Sequence, residues 1–208
     1  VQTCALPISV LRPEKPDGRA VVLVPGTSDG VEMAQCVSRL GVTVFLIVGG
    51  PATLADAQRA ISLVRSRAGE FCVDPEWVGL LGLTDGAPIA ALCGHKFGER
   101  SYQAVDNHDR ALCRAAFVAL ISPTGLTKND GTVDMALIDP RRNRMPPMFV
   151  AGTADDDSIR AALRYVLEVR EGRIPVAAHV FEKGNANKNQ WLASFERWLK
   201  DVEPVDAK

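Results

Sequence analysis

The stretch LLGLTDGAPIAALCG, residues 80–94, decides the fold. Apolar residues run to Leu83, break at the turn Gly82-Leu83-Thr84-Asp85-Gly86, and resume from Ala87 as a small, apolar run with good helix formers. A short apolar run that ends at a turn signal reads as a buried strand, and the alanine-rich run behind it reads as a helix. The pattern is strand, sharp elbow, helix, with Thr84 at the apex and Asp85 beside it.

The same alternation extends outward in both directions. AVVLVPG (20–26), TVFLIVGG (43–50), WVGLLGL (77–83), AFVALISP (116–123), MFVAGT (148–153) and VAAHVF (176–181) read as strands, and ISVLRP (8–13) as the stub of an earlier one. In LADAQRAISLVRSRAGEF (54–71), Ala57, Ala60, Ile61 and Val64 recur at helical spacing, with Arg59, Arg65 and Arg67 off that stripe. Residues 31–40, 86–97, 158–171 and 190–201 read as further helices. Strands alternating with helices predict an α/β fold, a mostly parallel sheet with helices on both faces. The polar segment 124–147 reads as a long loop. In such a sheet, chemistry belongs at the strands' carboxyl ends, here PGTSDG (25–30), GLTDG (82–86), AGTADDD (151–157) and EKGNANKN (182–189).

The chain has 208 residues, enough for one domain with a sizeable core. VQTCALPI (1–8) resembles a translated sequencing adapter; it is set apart from a single domain over 9–202 and a short tail, 203–208. The formal net charge of −1, with both signs interspersed, argues against nucleic acid or an anionic membrane as partner. The sequence carries no cofactor signature: GTSDG lacks the Lys-Ser/Thr of a phosphate loop and the third glycine of a dinucleotide loop. Cys4, Cys36, Cys72, Cys93 and Cys113 show no zinc spacing and read as small buried hydrophobes without disulfides.

The blocks VVLVPG, LGVTVFLI, DAQRAISLVRSRAGEFCVDPEWVGLLG, DRALCRAAFVALISP, PPMFVAG and HVFEKG, in that order from about Ile8 to Leu199, resemble the α/β-hydrolase superfamily. Within it they look like the bacterial carbohydrate-esterase branch, which is acetylxylan-esterase-like or feruloyl-esterase-like. The resemblance implies an N-terminally truncated α/β-hydrolase fold and a small ester or acetylated carbohydrate as ligand, with no cofactor. It also implies hydrolysis by a serine, acid and histidine relay with a backbone oxyanion hole.

Carried over residue by residue, the serine position is Thr84. The oxyanion loop falls on Gly26, Thr27, Ser28 and Asp29 after Pro25, with one glycine left of the family's three. The acid falls on Asp156, with Asp155 next in register, and the histidine position falls on Ala186, between Asn185 and Asn187. The base is therefore missing. The three histidines, His95, His108 and His179, all lie outside the loop that should supply it.

An alcohol attacks an ester only when a base takes its proton. A β-branched residue is also disfavoured at the positive φ that an elbow requires. Asp85 sits on the residue whose N–H should stabilise the oxyanion, where a carboxylate either opposes that charge or caps the helix. The favoured reading is a degenerate esterase that retains ligand or partner binding. The alternatives are an active ester hydrolase using Thr84 with a non-standard base, such as an acid of DDD or a water held by Asn185 and Asn187, and a cation site built from Asp29, Asp85 and Asp155 to Asp157.

Overall fold

The structure, a computed structural model, describes residues 7–26, 30–96, 99–137, 145–154, 158–182 and 190–203. Seven strands form one sheet: β1 (Ile8–Leu11), β2 (Ala20–Val24), β3 (Thr43–Ile47), β4 (Val78–Leu83), β5 (Val118–Ile121), β6 (Met148–Thr153) and β7 (Val176–Phe181). Their order is β1-β3-β2-β4-β5-β6-β7. β1 pairs antiparallel with β3, Ile8 opposite Ile47, and every other neighbouring pair is parallel.

Helices α1 (Gly30–Ser38), α2 (Leu54–Ser66), α3 (Ala68–Phe71), α4 (Ala87–Lys96), α5 (Ser158–Glu171) and α6 (Gln190–Asp201) cover both faces. The central strands bury every residue, as their unbroken apolar runs demand. Alternation then divides the core. Val22, Val24 and Leu80 face α2 and α4, while Val21, Leu23 and Leu81 face α1 and α6. No helix among the described residues is long and apolar enough to cross a membrane.

Local chemistry sets the element limits. Thr53 and Asp56 form a reciprocal capping box that starts α2: the Thr53 hydroxyl accepts from Asp56 N at 3.3 Å and Asp56 accepts from Thr53 N at 2.9 Å. The helix expected over 54–71 is interrupted at Arg67, whose φ of −116° and ψ of 21° leave the helical region. Gly79 lies under the Phe117 ring, so that a Cβ there would overlap the ring carbons.

Three expectations need correction. Arg59, read as lying off the buried stripe, is 7% exposed and ion-paired to Asp106 and Asp109. Cys93 and Cys113 are buried as expected, but Cys36 is half-buried and Cys72 is exposed. Cys72 ends α3 in the left-handed region, a position set by the turn and not by hydrophobicity. The loop 124–147 is more ordered than its polarity suggests. It carries an antiparallel bridge between Thr127 and Val133, a single 3-10 turn at Met135–Leu137, and buried Leu126, Val133, Leu137 and Met145; residues 138–144 lie outside the described residues.

Candidate active site

The strand order reverses between β2 and β4, because β3 lies on one side of β2 and β4 on the other. A crevice opens at such a switch point, outside the strands' carboxyl ends. Two of the predicted turns meet there: the one after β2, with Gly26, and the elbow after β4, with Thr84 and Asp85.

The elbow compresses the strand-to-helix change into one turn of 3-10 helix, Thr84–Gly86, which runs straight into α4. Thr84 takes a φ of +44°, so the elbow keeps its strain despite the β-branched side chain. The packing around it explains why the strain does not relax. A Cβ on Gly86 would lie 2.5 Å from the Val24 carbonyl oxygen and 2.7 Å from that of Pro25. A Cβ on Gly82 would lie 2.7 Å from Ala87 Cα and 2.8 Å from Ala90 Cβ. Backbone therefore presses the turn from both sides. The segment after β5 adds a third hold, since Thr124 N donates to the Thr84 carbonyl at 3.0 Å.

The Thr84 hydroxyl donates to Asp85 Oδ1 at 3.0 Å. Both groups lean over Gly26, where a Cβ would overlap Thr84 Oγ1 and Asp85 Oδ1 and come within 2.8 Å of the Leu83 carbonyl oxygen. Gly26, Thr84 and Asp85 are thus brought together. Thr27, Ser28, Asp29, Asp155, Asp156, Asp157, Asn185, Ala186 and Asn187 lie outside the described residues. So does most of the candidate cation site. Among the described residues, no group of three or more His, Cys, Asp or Glu side chains could hold a metal ion.

The histidines are placed far from Thr84. α4 begins at the elbow and His95 lies in its last turn, eleven positions after Thr84, which is about 16 Å along a helix axis. His108 bonds through Nδ1 to Ser66 Oγ at 2.8 Å. Ser66 is the last residue of α2, a crossover helix that starts beyond the C-terminal end of β3, so His108 sits at the opposite edge of the sheet from the elbow. His179 is mid-strand in β7, three strands from β4 and hence about 14 Å across the sheet. Its ring stacks on Phe181 and lies 5.0 Å from that of Phe149, and burial holds its pKa below the ordinary imidazole value.

One residue at this edge escapes a sequence reading. Ser122, just past β5, has a φ of +45°, and its N–H donates to the Ala151 carbonyl at 2.7 Å. Two residues later comes the Thr124 N–H that holds Thr84. Left-handed backbone at Ser122 precedes the Thr124 N–H that bonds the elbow. The Pro-Thr-Gly that follows it signals a turn, but nothing there marks the serine.

The chain matches no protein-family model and no curated protein. Solved structures do share its architecture. An acetyl ester-xyloside bifunctional hydrolase from Caldicellulosiruptor lactoaceticus superposes with a TM-score of 0.74 at 21% identity, over 93% of this chain and 87% of that one. A sugar hydrolase from Lactococcus lactis gives 0.68 at 19% identity, over 93% of both chains. A thermophilic esterase from Thermogutta terrifontis, with butyrate bound, gives 0.74 at 16% identity over 97% of this chain and 91% of that one. The chain has the α/β-hydrolase fold.

Proposed function

We propose that this protein is an esterase-like member of the hydrolase fold whose ester-cleaving chemistry is impaired, and whose crevice between β2 and β4 binds a small ester or acetylated carbohydrate. The observation that carries the reading is the direction of the Thr84 hydroxyl, which is given to Asp85 and not to an imidazole. The sequence places Ala186 where the resemblance puts the histidine. Carboxylates as a class hold a proton less firmly than imidazole by roughly 2–3 pH units, so a carboxylate is a poor base for an alcohol. Loss of one relay member lowers turnover by several powers of ten, on the order of 10⁴ or more. Solved relatives of this fold described as an acetyl ester hydrolase and as an esterase support the ligand class. The test is hydrolysis of a short-chain aryl acetate together with labelling by an active-site phosphonate: the unmodified protein is expected near background in both. Turnover abolished by Thr84→Ala would overturn this reading.

The same 3.0 Å bond favours a second reading, in which Asp85 is the non-standard base for Thr84. It predicts measurable turnover that Thr84→Ala and Asp85→Asn each remove.

A further inference from the structure

Among the described residues, β1 stands at one end of the sheet and pairs with β3 alone. In an antiparallel pair, the backbone groups of successive residues point alternately toward the partner and away from it. Val48 N donates to the Pro7 carbonyl at 2.9 Å, so Pro7, Ser9 and Leu11 turn their backbone groups toward β3. Those of Ile8 and Val10 face the open edge. The side chains of the same two residues lie on the α2 face, where Ile8, Val10, Phe45, Leu63, Arg67 and Phe71 line a cleft of about 240 Å³. Its apolar part is well formed: the Phe45 and Phe71 rings meet edge to face with centres 4.9 Å apart, and Val10 is left 41% exposed. Its rim is cationic. The guanidinium carbons of Arg12 and Arg67 each lie 5.3 Å from the centre of the Phe71 ring. Arg67 is paired with Glu70 at 2.7 Å, whereas Arg12 makes no ion pair among the described residues and donates to the Glu70 carbonyl at 3.3 Å.

We propose that this edge takes an extended peptide segment of another protein as a further strand, with apolar side chains in the cleft and an acidic one beside Arg12. The outward N–H and C=O groups of Ile8 and Val10 supply the backbone bonds, and the cleft supplies the choice of side chains. Side chains of a strand return to one face every second residue, and Ile8, Val10 and Arg12 share that spacing. A strand laid against them therefore reads apolar, apolar, acidic at alternate positions. A second copy of this chain fits less well, because pairing two β1 strands antiparallel about Val10 sets Arg12 opposite Ile8, with no acid to meet it. The edge lies three strands from β4, about 14 Å across the sheet, so it is separate from the crevice and independent of the function proposed there.

The test is fluorescence anisotropy on the whole chain with labelled heptapeptides in which threonine alternates with valine, valine and glutamate, in that order and reversed, so that either strand direction is offered. One of the two is expected to bind with a Kd of about 10–100 μM, and lysine in place of its glutamate to weaken binding about threefold or more at low salt. Val10→Pro removes one outward N–H and spares the bonds to β3, a position where an edge strand tolerates proline; it is expected to weaken binding about tenfold or more. Val10→Thr, which keeps that N–H and the side-chain shape, is expected to stay within about threefold. Arg12→Glu leaves every strand bond in place and is expected to reverse the preference between the glutamate and lysine peptides. Failure of both directions to bind the unmodified protein overturns the proposal, as does a charge preference unmoved by Arg12→Glu or full binding by a folded Val10→Pro. A dimer in sedimentation that Val10→Pro dissolves overturns it too, by giving the edge to a second copy.

Discussion

At the scale of single residues, this site is defined by backbone that side chains ordinarily refuse. Among the described residues, four non-glycines have positive φ: Cys72, Thr84, Ser122 and Arg173. Two of them stand at the ends of the neighbouring strands β4 and β5, next to the crevice. A β-branched residue held at +44° costs on the order of 1–3 kcal/mol, so Thr84→Gly is expected to stabilise the fold by about 1 kcal/mol, seen as a higher urea midpoint. Cys72→Gly provides the calibration, because that exposed residue only ends a helix in the same conformation. If Cys72→Gly gains stability and Thr84→Gly loses it, the Thr84–Asp85 bond outweighs the strain. Gly26→Ala should behave oppositely to both. Its methyl group would overlap the Thr84 hydroxyl and Asp85 carboxylate, so it is expected to destabilise by roughly 1–3 kcal/mol and to displace the elbow. The sequence showed that an elbow here would strain Thr84; that the strain is kept and not relaxed is set by the packing at Gly82 and Gly86. Ser122 was not legible, because its conformation is imposed by the neighbouring strand through Ala151.

At the scale of elements, the strand and helix pattern was legible almost throughout, because buried parallel strands and amphipathic helices write their periods directly into the chain. What periodicity missed was a polar joint between α2 and the segment after α4. Asp109, fully buried, accepts from Arg59 Nη1 at 2.5 Å, Arg100 Nη1 at 2.9 Å, the Tyr102 hydroxyl at 2.6 Å and Val105 N at 2.7 Å. These partners lie up to 50 residues apart in sequence, so a reading of α2 alone sees Arg59 as merely polar. Burial by itself would raise the Asp109 pKa, but the bonds from Arg59 and Tyr102 outweigh it and hold the carboxyl well below its ordinary value of 3.8. A depressed folded-state pKa gives stability that is complete above the unfolded value and is lost as pH falls through the folded one. Acid unfolding below about pH 4 should therefore shift in Asp109→Asn, whose stability lacks this term at every pH. Asp109→Ala, which leaves Arg59 and Arg100 facing an empty site, is expected to cost about 3–5 kcal/mol, measured by urea unfolding at neutral pH. A loss below about 1 kcal/mol would mean that the joint is dispensable.

At the scale of the whole molecule, the packing that shapes the elbow is separate from the groups that would run the chemistry. Gly82, Gly86, the end of β2 and the Thr124 N–H hold the turn through backbone packing and a backbone hydrogen bond. A turn held in this way does not depend on a relay, which makes substitution at the proposed relay positions a direct test of the impaired-esterase proposal. Thr84→Ser alone should change aryl acetate hydrolysis by less than about tenfold, since a serine without a base is no better activated than a threonine. Ala186→His alone should do as little, because the Thr84 hydroxyl stays strained and bonded to Asp85. The two together are expected to exceed the product of their separate effects, as members of a relay act as a unit. Adding Asp85→Ala should raise turnover again, by about tenfold or more, because it frees the hydroxyl and removes the charge opposing an oxyanion. The order of gains is the informative quantity, read from kcat/KM across all eight combinations. A triple variant no faster than the unmodified protein would place the defect elsewhere, for which the turn after β2, where the resemblance puts an oxyanion loop, is the next position to vary. A single variant Asp85→Ala that lowers turnover below that of the unmodified protein would instead identify Asp85 as the working base of a threonine hydrolase.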